Sequence, residues 1–65
     1  MITINGQKTE LLSPVSVADY LEQNQYRPNR IAVELNGEIL PKSHYADTKL
    51  KDGDNMEIVS FVGGG

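Results

Sequence analysis

Cysteine is absent from the 65 residues, which removes structural disulfides, a persulfide carried on the chain, thiol catalysis and thiolate zinc sites together. With a single histidine, His44, an all-histidine metal site is excluded as well. Basic residues are scarce: six Lys and Arg stand against nine Asp and Glu, giving a formal charge of −3 and a pI near 4.8. Binding to a phosphate backbone rests on clustered cations, so nucleic acid is not expected as a partner. An acidic body suits a protein partner with a basic docking face. Long apolar runs are missing too. None approaches the ~20 residues that span a bilayer, and no basic segment followed by an apolar one opens the chain. The expected setting is the cytoplasm, without a membrane partner. A chain of this length has room for one domain with a small, well-packed core.

What is present is a series of short elements separated by strong turn signals. Ile2 and Ile4 alternate with Thr3, and Asn5-Gly6 supplies the positive backbone angles of a tight hairpin turn. The return strand, expected over residues 7–12, carries Lys8 and Glu10 on one face and Thr9 and Leu11 on the other, as an edge strand does. After Ser13-Pro14, Ser16 is placed as an N-cap with Asp19 in a capping-box position, and Val15 is placed to staple against Tyr20. A helix to about Gln25 follows, with Val17, Tyr20 and Leu21 forming its buried stripe. Ile31, Val33 and Leu35 mark a third strand, Asn36-Gly37 a second tight turn, and Glu38 to Leu40 a brief strand ended by Pro41. Residues 42–51 read as a loop with one helical turn, pinned by Tyr45 and Leu50. Asp52-Gly53-Asp54 then turns the chain into its most apolar strand.

This order describes an α+β protein of the ubiquitin-like β-grasp type: a mixed sheet of four to five strands covered on one face by one helix. The last strand, being the most apolar, is expected in the middle and parallel to the first, with the intervening elements forming the long connection a parallel pair requires. On it Met56, Ile58, Ser60 and Val62 face one way, and Glu57, Val59 and Phe61 the other. If Ile58 points under the helix, Val59 and Phe61 lie on the uncovered face as a docking patch. A bulge, or burial by the loop over residues 42–51, is the alternative.

Catalytic machinery is not evident. Ser43, His44 and Asp47 invite a triad reading, but neighbours on one polar loop rarely converge. Asp47, Asp52 and Asp54 lack the spacing and closing glutamate of a calcium loop. A phosphate-cradling glycine run belongs between a strand and a helix, whereas Gly63, Gly64 and Gly65 follow the last strand with no helix after them. The division is therefore a domain over residues 1–62 and a glycine tail over 63–65. With nothing to pack, the tail is expected to be mobile and to reach about 10 Å beyond the strand when extended. A frayed end without function is the competing reading. The reactive group that remains is the α-carboxylate of Gly65, ionised near neutrality. Positioned by a partner that uses ATP and magnesium, it can attack the α-phosphate. The resulting acyl-adenylate can be captured by sulfur, giving a thiocarboxylate, or by an amine, giving an isopeptide. The chain would be the substrate, not the enzyme, and would bind no cofactor or metal itself.

The run Ile31-Ala32-Val33-Glu34-Leu35-Asn36-Gly37-Glu38-Ile39-Leu40-Pro41, followed by Tyr45, Leu50-Lys51-Asp52-Gly53-Asp54, Glu57-Ile58-Val59 and Val62-Gly63-Gly64, resembles the ThiS family of sulfur carriers in thiamine biosynthesis. The first half adds its length, the Asn5-Gly6 hairpin and Val17 to Leu21, which many β-grasp proteins share. The resemblance implies adenylation of the terminal glycine by an enzyme related to ubiquitin-activating enzymes, sulfur from a donor protein, and consumption of the thiocarboxylate by thiazole synthase. Carried over to this chain, Gly65 is the reactive residue, and Gly63, Gly64, Val59 and Phe61 meet the partners. The family commonly ends in two glycines and this chain shows three; were Gly65 an addition, Gly64 would inherit the role. The small subunit of molybdopterin synthase, a ubiquitin-like modifier and a β-grasp interaction module without an activated terminus are the alternatives.

Overall fold

The computed structural model describes residues 1–11 and 13–61. Five strands form one sheet: β1 (Ile2–Ile4), β2 (Gln7–Thr9), β3 (Ile31–Leu35), β4 (Glu38–Leu40) and β5 (Asn55–Ser60), in the order β2-β1-β5-β3-β4. Helix α1 (Val17–Gln23) lies between β2 and β3 in the chain, and short 3-10 turns occupy Pro28–Arg30 and Lys42–His44. Strand β5 is central, parallel to β1 and antiparallel to β3. The upper of the expected strand counts is therefore realised, and the parallel pairing of first and last strands holds.

One face of the sheet and the helix share the core. Ile2, Ile4, Ile31, Val33, Met56 and Ile58 come from the strands, Val17 and Leu21 from the helix, and Tyr45 and Leu50 from the 42–51 segment. Tyr20 is only partly buried against this cluster, so the helical stripe is narrower than its spacing suggested. Burial pushes the Tyr45 phenol above its ordinary pKa, opposed by a hydrogen bond with the backbone of Val33. Burial also raises Tyr20, with its neighbour Tyr26 adding to the effect.

The first donors of the helix itself are all partnered. The Ser16 hydroxyl accepts from the Asp19 N–H at 3.0 Å, the Val17 and Ala18 N–H groups donate to the carbonyls of Thr48 and Tyr45, and Tyr20 closes back to Ser16. Half of these bonds tie α1 to the 42–51 segment, which is why that segment behaves as part of the core. Only the forward half of the expected capping box forms. The Asp19 side chain stays exposed, one methylene shorter than the Glu that usually reaches back.

Two boundaries differ from the sequence reading. Strand β2 ends at Thr9 instead of Leu12, because it pairs on one side only and no neighbour holds its continuation; Leu12 itself lies outside the described residues. Helix α1 ends at Gln23 instead of Gln25. Gln25 takes a left-handed φ of 64°, its N–H donates to the Glu22 carbonyl, and the Tyr26 N–H donates to that of Leu21. This double closure is a Schellman motif, formed here by glutamine where glycine is usual.

Both Asn-Gly turns have positive φ at each central residue: 50° and 82° at Asn5 and Gly6, 53° and 86° at Asn36 and Gly37. Those are the hairpin angles whose twist matches the flanking strands. The asparagines also grip the central strand from either side. Asn5 Oδ1 accepts from the Ile58 N–H at 2.7 Å, and Asn36 Oδ1 accepts from the Asn55 N–H at 2.9 Å. Asn36 Nδ2 donates to buried Asp54 at 3.1 Å, whose other oxygen accepts from the Lys51 N–H at 2.8 Å. The Asp-Gly-Asp turn is thus a structural device, with one of its carboxylates consumed inside the fold.

Candidate functional site

Strand alternation decides which side of β5 is available. Met56 and Ile58 are buried under the helix, so Glu57, Val59 and Phe61 project from the opposite, uncovered face. Val59 and Phe61 are each 56% exposed. Neither a bulge nor the 42–51 segment covers them, so of the two expected placements the uncovered one is realised. The chain is held in register to its last described residue: beyond the strand proper, the Phe61 N–H donates to the Arg30 carbonyl at 2.9 Å.

Cross-strand pairing extends the face sideways. Val59 sits opposite Ala32 on β3, and Glu57 sits opposite Glu34, which in turn pairs with Ile39 on β4. Ile39 is 67% exposed, more than Val59 or Phe61. Sequence reasoning gave it no site role. Its signal was available: Leu40 points inward beside Val33, so alternation turns Ile39 outward next to Glu34. The face is thus apolar at Ile39, Val59 and Phe61 with two glutamates among them.

Gly63, Gly64 and Gly65, the expected reactive tail, lie outside the described residues, as does the domain boundary drawn at residue 62. Ser43, His44 and Asp47 are all exposed around a 3-10 turn. The bonds among them are backbone ones, Asp47 N–H to the His44 carbonyl, so they form a turn and not a relay. Among the described residues no three His, Asp or Glu side chains gather as a metal site, and no helix is long and apolar enough to cross a membrane.

A mixed five-stranded sheet with the final strand at its centre, one covering helix and an apolar opposite face defines a ubiquitin-like β-grasp protein. Within that class the chain belongs to the ThiS family, whose sequence profile matches residues 2–65. It is 36% identical over 66 residues to the sulfur carrier protein ThiS of Bacillus subtilis, a match that covers 100% of both chains. The crystal structure of the thiamine biosynthesis protein ThiS from Geobacter metallireducens is similar with a TM-score of 0.83 at 33% identity, over 98% of this chain and 97% of that one. A protein of Paramagnetospirillum magneticum named thiazole synthase is 41% identical over 64 residues, which are 98% of this chain but 20% of that protein. The chain therefore spans about a fifth of that relative's length.

Proposed function

We propose that this protein is a sulfur carrier of thiamine biosynthesis, and that its working parts are the Gly65 carboxylate and the uncovered face of β5. The observation that carries the reading is the family match, which runs through the glycine residues and does not stop at the folded body. In this reading Val59 and Phe61 dock an adenylating enzyme while Gly63 and Gly64 thread into its active site. Their lack of side chains admits them to a channel shaped around backbone. A Gly65 carboxylate oxygen attacks the α-phosphate of ATP, held with magnesium by the enzyme, and pyrophosphate leaves. A sulfide-level nucleophile (HS⁻), originating with a sulfur-donor protein, then attacks the acyl carbon and gives up its proton. AMP departs and a thiocarboxylate remains. Thiazole synthase is the proposed acceptor, supported by the relative of that name that contains a stretch like this chain.

The test is direct. Intact-mass measurement on protein isolated from cells is expected to show a fraction heavier by the difference between one sulfur and one oxygen atom, located on the C-terminal peptide. The adenylating enzyme from the same genome is expected to catalyse ATP–pyrophosphate exchange with the native chain and not with Gly65→Val, whose branched Cβ crowds the in-line approach. Equal exchange by both proteins would overturn the assignment of the terminal glycine. Absence of exchange with the native chain would overturn the carrier reading.

A further inference from the structure

The uncovered face carries a charge arrangement that its own fold does not need. Glu34 and Glu57 are direct partners across β3 and β5, so their side chains leave the same face with Cβ atoms about 5 Å apart. Like charges opposite one another on a sheet are unfavourable. Among the described residues the one ion pair joins the Met1 amine to Asp52, and neither glutamate has a cation at salt-bridge distance. The cations of that face stand elsewhere. Lys8 lies on β2 opposite Thr3, and Arg30 lies beyond Ala32, beside Phe61.

The position of this pair matters more than its charge. Ile39 adjoins Glu34 on one side, and Val59 follows Glu57 on the same face of β5. A partner that covers those apolar side chains closely enough to expel water removes both carboxylates from water at the same time. Two desolvated, mutually repelling carboxylates without a cation would oppose the docking that the apolar residues favour. The two features work together only against a surface that brings positive charge to the middle of the patch. Arginine suits the place best, since its planar guanidinium has donors enough to serve two carboxylates at once.

We propose that Glu34 and Glu57 together receive a guanidinium from the docking face of the adenylating partner, with Ile39, Val59 and Phe61 packed around that contact. The proposal rests on the sulfur-carrier reading, and it makes the acidic pair the part of the face that selects the partner. The apolar residues contribute area; the glutamates determine which protein can cover it.

The double variant Glu34→Gln/Glu57→Gln keeps side-chain shape while removing both charges and their repulsion, so its urea midpoint is expected to equal or exceed that of the native protein. Pyrophosphate exchange with the adenylating enzyme of the same genome is then measured against carrier concentration at several ionic strengths. The expected result is a rise in KM of about tenfold at low salt with kcat within about twofold, because the pair acts in docking and not at the reacting carboxylate. The KM of the native protein should also climb with salt more steeply than that of the variant. A KM and a salt dependence equal to the native values would overturn the proposal while leaving the carrier reading intact. If the native protein supports no exchange, the carrier reading falls, and this proposal with it.

Discussion

Replacing Phe61 by alanine separates a proposed docking residue just past β5 from a core residue on that strand. Phe61 is 56% exposed, so truncation forfeits somewhat less than half of the roughly 200 Å² an aromatic side chain can bury. At ~25 cal/mol per Å² the ceiling is about 2 kcal/mol, and a denatured chain that already hides some apolar surface lowers the expected loss to about 1–1.5 kcal/mol. Met56, on β5, is fully buried; Met56→Ala is expected to cost about 2–5 kcal/mol. For a domain whose total stability is of the order of 3–10 kcal/mol, that difference is the difference between a folded and a largely unfolded protein. Urea unfolding followed by far-ultraviolet circular dichroism measures both losses. Affinity for the adenylating enzyme, measured by titration calorimetry, is expected to fall about tenfold or more for Phe61→Ala, as it does for aromatic anchors in docking patches. A stability loss above about 3 kcal/mol would place Phe61 in the core and refute the face assignment. Affinity within about twofold of the native value would refute its docking role.

Asn5→Gly and Asn36→Gly keep the positive φ that each turn requires but remove the side-chain oxygen that accepts from β5; each is expected to lower stability by about 1–2 kcal/mol in urea melts. Gln25→Gly is expected to act in the opposite direction, raising stability by about 0.5–1 kcal/mol, because a residue with a Cβ is strained at that left-handed position. Stability is also expected to fall as pH climbs through and above 10. Tyr45 and Tyr20 have phenol pKa values raised by folding, so the folded state holds those protons more tightly and their contribution, fully present below pH ~10, is lost above it. Tyr45→Phe should flatten that decline in a pH series of urea midpoints.

Most of the architecture was legible because its signals are local. Asn5-Gly6 and Asn36-Gly37 set two hairpins, Ser16 set the helix start, and the apolar density that begins at Ile58 set the central strand; the structure places turns at the first two, a cap at Ser16 and β5 over Asn55–Ser60. Element ends were less legible. The end of β2 depends on whether a neighbour is present to pair with it, and the end of α1 depends on a glutamine adopting an angle that its composition does not advertise. The asparagine bonds to β5 were invisible for a related reason: local pattern shows that Asn-Gly turns, not what lies beside the turn. At the site, Val59 and Phe61 were readable from alternation alone. The juxtaposition of Glu34 with Glu57 was not, since it needs the register between two strands that are distant in sequence.

The topology limits how any partner can recognise this protein. Strand β5 is paired along its length by β3 on one side and over Asn55 and Met56 by β1 on the other, where Asn5 also accepts from the Ile58 N–H, so most of its backbone is already committed. The sheet edges are β2 and β4, three residues each. Edges that short offer few free backbone groups, and Pro41 follows β4 directly, which discourages extension of the sheet by a partner. What β5 chiefly presents to another protein is its outward side chains and the chain that continues from Phe61. The side chains of Val59 and Phe61 are held by a chain kept in register up to Phe61, whose N–H donates to the Arg30 carbonyl. Under the proposed function, a partner that seats Val59 and Phe61 would also set where the chain leaves Phe61, which is what delivery of a single carboxylate to a reacting phosphate would require.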